Sequence, residues 1–154
     1  MVLDVKLVKQ ILPQKEPFCF INSVDKIDIE SQSIICNYCF ELSNPMLGRD
    51  NSSDTFVPKV LLIESVAQSS ILLLSIDSDK NIKVSNNQGK YLLSKVENMV
   101  FKSGLHPGHN IKIHTTLNRK IAKFHFFSAR VYNDLEEKIL EGDFVVYLEN
   151  EYDR

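Results

Sequence analysis

The chain has 154 residues, a usual length for one domain and enough to bury a core without disulfide or metal staples. Its 18 basic and 20 acidic side chains leave a net charge of −2, which argues against nonspecific nucleic-acid binding as the main role. Its three cysteines are an odd number, so no disulfide framework is expected.

The opening "MVLDVKLVKQIL" mixes charged with apolar residues and lacks the apolar core of a signal peptide. From Asp4 to Leu12 the apolar residues fall at helical spacing: Val5, Val8 and Leu12, with Leu7 and Ile11 beside them. Pro13 ends this helix. "CFINSVDKIDIE" and "SIICNYCFEL" are rich in β-branched and aromatic residues, and polar "SQS" joins them into a predicted hairpin. Cys36 and Cys39 spell C-x-x-C, but residues three apart on a strand point to opposite faces. No second cysteine pair is available to complete a zinc site, so they read as two reduced thiols.

Asn44 to Thr55 is polar and reads as a loop. Pro58 suits the first turn of a helix, where its missing N–H costs nothing, and the helix is expected to run to about Ile76. This stretch is apolar on most of its circumference, as for a helix enclosed on several sides. Glu64, Gln68 and several serines interrupt it, so it is too short and too polar for a membrane span. A soluble, cytoplasmic protein is the expectation. After the polar loop "DSDKNIKVSNNQGK" come four predicted strands: "YLLSKVENMVF", "NIKIHTTLN", "KFHFFSARVYN" and "KILEGDFVVYLE". The sum is an α+β fold in one domain, residues 1–154, whose long helix covers one face of an antiparallel sheet.

Glu64 is the anomaly. A carboxylate inside an apolar helix is costly unless it is paired or functional. Gln68 lies one turn later on the same face, and Ser75 falls near that stripe. The residues alone fit a buried polar network, a stripe at a subunit interface, or a proton-transfer group whose pKa burial raises.

Three motifs carry a resemblance. "ILPQKEPFCFINSVDKID" resembles "LLPHRxPFLxVDxVxxxD", "VPKVLLIESVAQ" resembles "MPGVLxxEAxAQ", and "MVFKSGLHPGHNI" resembles "xRFxxPVxPGDxL". In this order and spacing they resemble the FabZ-type β-hydroxyacyl-acyl-carrier-protein dehydratases. That likeness implies a hot-dog fold, with the sheet wrapped around one long central helix and two protomers paired. It also implies a histidine base in "GHFPG" and a helical glutamate from the other protomer that handles the β-hydroxyl. Glu64 falls on the glutamate position and Gln68 on the glutamine after it. Counting back without gaps, Asp50 takes the histidine position in "RDNSS", and Lys59 replaces the glycine at the start of the helix.

An unperturbed aspartate titrates near 4 and a histidine near 6.5, so Asp50 is the weaker base at neutrality. All four histidines, His106, His109, His114 and His125, follow Glu64 in the chain and read as ordinary strand or turn residues. Glu64 and Asp50 are therefore the catalytic candidates, and Pro58, Lys59, Val60 and Gln68 the substrate-binding ones. The resemblance implies an acyl carrier protein as partner, with Lys59, Lys95, Lys102, Arg119 and Lys120 as candidates for a basic rim that meets its acidic surface. It implies a homodimer or heterodimer and neither metal nor organic cofactor. Three functions fit: a dehydratase subunit of fatty-acid or type II polyketide/polyene biosynthesis completed by a histidine-bearing partner, a hot-dog thioester hydrolase using Asp50 and Glu64, and a non-catalytic acyl-binding or structural subunit.

Overall fold

The computed structural model describes residues 1–47, 55–83 and 90–149. In chain order it contains α1 (Val5–Ile11), β1 (Ser23–Asp28), β2 (Ser33–Cys39), a 3-10 turn at Pro45–Leu47, α2 (Lys59–Leu74), β3 (Lys90–Phe101), β4 (Asn110–Ile121), β5 (Phe124–Asn133) and β6 (Lys138–Glu149). The strands form one antiparallel sheet in the order β1-β2-β4-β5-β6-β3, with α2 packed against β2, β4, β3 and β6. This is the predicted α+β, hot-dog arrangement.

The helix ends follow from local chemistry. Asp4 caps α1 by accepting from the Leu7 N–H at 2.9 Å, and Leu12 closes it. Pro58 stands just outside α2 with extended ψ, one position before the first-turn place predicted for it. Helix α2 stops at Leu74, short of the expected Ile76. The Ser75 hydroxyl bonds back to the Ile71 carbonyl at 2.7 Å, and Ile76 leaves to bridge Ile82. Ser75 is thus a helix end, separate from the Glu64 stripe.

Alternation decides which strand residues meet the helix. Ile111, Ile113 and Thr115 of β4, and His125, Phe127, Ala129 and Val131 of β5, are buried, while residues between them are more exposed. The core closes with Phe20, Phe40, Phe127 and Phe144, all at most 1 % exposed; the Phe127 and Phe144 rings stack with centroids 5.1 Å apart. Buried Ser65, Ser69 and Ser70 each donate to a carbonyl one turn back in α2. Since Ser69 gives its proton to the Val66 carbonyl, the Thr115 hydroxyl donates to Ser69 Oγ at 2.6 Å, tying helix to sheet.

The two sheet edges differ. Outside β1, Leu3 bridges Val24 and the Met1 carbonyl accepts from the Ile27 N–H. Outside β3, no strand lies among the described residues. Strand β3 exposes Leu92, Leu93, Val96 and Val100, and it is bulged between Glu97 and Val100, where Asn98 has φ 51°. Across from the bulge, a Cβ on Gly142 would lie 2.6 Å from the Met99 Cα, so only glycine fits.

Candidate active site around Glu64

Glu64 sits in the middle of α2 and is partly exposed, whereas Gln68, one turn later, is fully buried. The least buried stripe of the helix runs through Val60, Ile63 and Glu64, while Ser69 on another face meets the sheet. Glu64 therefore lies on the least buried stripe of α2, at the border between the core and the helix surface.

Gln68 is a clamp. Its Oε1 accepts from the Phe20 N–H at 2.7 Å. Its Nε2 donates to the Phe18 carbonyl at 2.7 Å and to Glu64 Oε1 at 2.9 Å. The Phe20 N–H demands an acceptor and the Phe18 carbonyl a donor, so the amide has one possible orientation. The segment between α1 and β1 is thereby fastened to the central helix. Phe20 is anchored in turn by Tyr38 and Phe40, at ring distances of 5.9 and 5.6 Å.

A second amide reaches the same carboxylate oxygen. Gln14 Nε2 lies 3.5 Å from Glu64 Oε1, and Gln14 Oε1 is buried with no hydrogen-bond partner among the described residues. Both donors converge on Oε1 of Glu64, and Oε2 forms no bond among the described residues. A carboxylate held by one oxygen has the other available for a proton or a substrate hydroxyl. Gln14 is not among the candidates read from the sequence. Its signal was its place in the first motif, where "ILPQKEPF" has glutamine against the histidine of "LLPHRxPF".

The remaining candidates are less tightly drawn in. Pro58, Lys59 and Val60 are exposed at the start of α2, and the Lys59 ammonium lies 5.1 Å from the centroid of the Phe101 ring. Asp50 lies outside the described residues. Phe56, just before the helix, stacks on His106 at 4.4 Å, and the His106 Nδ1 is 3.2 Å from the Thr55 carbonyl. His109 pairs with Asp134 at 2.9 Å in the turns beyond β4 and β5. His114 packs edge-on against Tyr132, and burial, with Lys112 and Arg130 adding to it, lowers its pKa. His125 is buried with its Nδ1 unpartnered among the described residues, and burial and Lys120 lower its pKa.

The basic candidates do not form one rim. Lys102, paired with Glu141 at 3.0 Å, lies just beyond the Phe101 end of β3, the end where Lys59 sits. Arg119 stacks on Phe126, and with Lys120 it belongs to the opposite end of the sheet. Lys95 is in the row of Phe126 and Val145 and pairs with Glu97. The two cysteines of C-x-x-C do face apart: Cys36 is fully buried and Cys39 partly exposed. Burial pushes the Cys36 thiol up and, with Glu41 nearby, pushes Cys39 up to about 11, so neither is poised as a thiolate. Among the described residues no cluster of three or more His, Cys, Asp or Glu could hold a metal ion. No described helix is long and apolar enough to cross a membrane.

No family model matches the chain. It is 28 % identical over 138 residues to the 3-hydroxyacyl-[acyl-carrier-protein] dehydratase FabZ of Rickettsia typhi, covering 88 % of this chain and 90 % of that one. It is 25 % identical over 156 residues to an uncharacterized thioester dehydrase of Halalkalibacterium halodurans, covering 97 % and 96 %. Among solved structures, a chain of the dehydratase heterocomplex ApeI:P from Xenorhabdus doucetiae superposes with a TM-score of 0.76 at 16 % identity, covering 94 % of this chain and 92 % of that one. The motifs, the wrapped central helix and these relatives agree: the chain has the hot-dog fold and is similar to the FabZ-type dehydratases.

Proposed function

We propose that the chain is a dehydratase subunit acting on β-hydroxyacyl thioesters carried by an acyl carrier protein, and that it shares its active site with a partner chain that supplies the histidine. The observation that carries this reading is Glu64. It is held through one oxygen by two amides, its other oxygen is unbonded among the described residues, and it lies on the least buried stripe of α2. Among the described residues the same protomer has β3 as an unpaired sheet edge with Val96 and Val100 exposed, which suits a paired assembly. Sequence supplies the other half: no histidine precedes Glu64, and Asp50 stands where the base belongs. The heterocomplex among the structural neighbours lends the paired arrangement further support.

In this mechanism the partner's histidine removes the α-proton, and Glu64 protonates the departing β-hydroxyl through Oε2. The new double bond forms between the α- and β-carbons, and water leaves. The histidine then gives its proton to solvent and Glu64 regains one from it, so each turnover releases one water and no net proton. Alone, the chain is expected to dehydrate slowly or not at all.

The test is Glu64→Gln in the complex that co-purifies with the chain, assayed on a 3-hydroxyacyl carrier protein. The expected result is an assembled complex whose rate falls by roughly a hundredfold or more. Asp50→Asn should change the rate little. A fully active Glu64→Gln complex would reduce this chain to a structural or carrier-docking subunit, and thioester hydrolysis by the isolated chain would identify a hydrolase instead.

A further inference from the structure

We infer that Gln14 is a positioning residue for Glu64, which selects the carboxylate oxygen presented to the substrate; this deepens, and rests on, the composite-site reading. The two glutamines around Glu64 are held in different ways. Gln68 spends its whole amide: both its nitrogen and its oxygen are tied to the backbone of Phe18 and Phe20, and Glu64 takes the remaining hydrogen. Its orientation would be the same if Glu64 were absent. Gln14 has no such tie. The only side-chain hydrogen bond it makes among the described residues is the 3.5 Å contact from Nε2 to Glu64 Oε1. Its own Oε1 is buried and unpartnered among the described residues.

A buried amide carbonyl without a partner costs stability. A methionine or leucine would fill the same space without that penalty. An amide thus stands where an apolar side chain would be more stable, and the one polar contact it makes among the described residues is to the reacting carboxylate. Its effect is geometric. With Gln68 alone on Oε1, the carboxylate can turn about its last bond and exchange its oxygens. A second donor on Oε1, arriving from the segment between α1 and β1, opposes that rotation and keeps Oε2 available. Gln14 need not touch the substrate for this, and it acts through Glu64.

Gln14→Met removes the donor and the orphaned carbonyl together. In the purified complex, with a 3-hydroxydecanoyl N-acetylcysteamine thioester as probe, kcat should fall about two- to tenfold, the worth of one hydrogen bond. KM should be unchanged, and the thermal midpoint should stay the same or rise. Gln14→His, which can return a ring N–H, should recover much of the rate. An unchanged kcat, or a midpoint that drops in step with activity, would overturn the inference, since a packing residue behaves in that way. Glu64→Gln in the same assay separates the two ideas, because a harmless Glu64→Gln removes the composite site itself. The contact can also be tested without activity. In urea unfolding of the isolated chain, Gln14→Met and Glu64→Ala should be coupled by about two- to tenfold in the unfolding constant. Strictly additive effects would show that the two side chains do not interact.

Discussion

Gln68→Met is the most informative perturbation of the scaffold. Methionine nearly matches glutamine in volume and flexibility, so packing in the fully buried site is largely kept while three hydrogen bonds go. The bonds differ in what they leave behind. Glu64 is partly exposed, and Phe18 is 53 % exposed, so water can satisfy the carboxylate and the Phe18 carbonyl. Phe20 is 1 % exposed, and its N–H is stranded. An unsatisfied buried donor costs about 1–3 kcal/mol, and each replaceable bond adds about 0.5–1.5 kcal/mol, less what the apolar methionine regains. The expected loss is about 2–4 kcal/mol. For a chain of this size about 2–4 °C accompanies each kcal/mol, so the thermal midpoint should fall by roughly 5–15 °C. Urea unfolding followed by far-UV circular dichroism gives the free energy directly. A loss below about 0.5 kcal/mol would refute the clamp, since surface substitutions fall in that range.

Three further outcomes follow from the geometry. Thr115→Val and Ser69→Ala should each destabilise by about 0.5–2 kcal/mol, and the double variant by clearly less than the sum, because the two hydroxyls satisfy one another; a double-mutant cycle measures this. Burial and Lys120 hold the folded pKa of His125 below its unfolded value of about 6.5, so the unfolded state binds the extra proton. Stability should therefore be complete above about 6.5 and decline as pH drops through that value towards the folded pKa, and His125→Leu should make the decline shallower in urea titrations at stepped pH. Val96→Glu, on exposed edge strand β3, should convert the assembly to monomers in light scattering while leaving the circular dichroism unchanged.

The fold was legible because its signals are local and redundant. The spacing of Val5, Val8 and Leu12 marks α1, and the alternation in "NIKIHTTLN" marks β4. The end of α2 was misplaced by two residues because apolar content continues through Ile76, whereas the stop depends on a serine side-chain bond that composition does not encode. At the site, Glu64 and Gln68 could be paired from their spacing alone. Phe18 and Phe20 could not, since they lie about fifty positions away and meet the helix only in three dimensions, and Gln14, equally distant, was marked only by its place in the first motif. The basic candidates show the converse: Lys102 and Arg119 are near in sequence but belong to different ends of the sheet.

The bulge in β3 bears on which foreign chains the protein can resist. An open, flat strand with exposed valines and leucines would recruit any extended segment that met it, and amyloid grows by such templating. Here the ladder shifts register between Leu93 and Lys95 and again between Glu97 and Val100. The edge is thus cut into regular lengths shorter than the six- or seven-residue segments typical of steric zippers, which works against such templating. Gly142 makes the second break possible, because a single methyl group there would collide with the Met99 backbone and press the bulge out. A side chain that is absent from the neighbouring strand thus guards the edge.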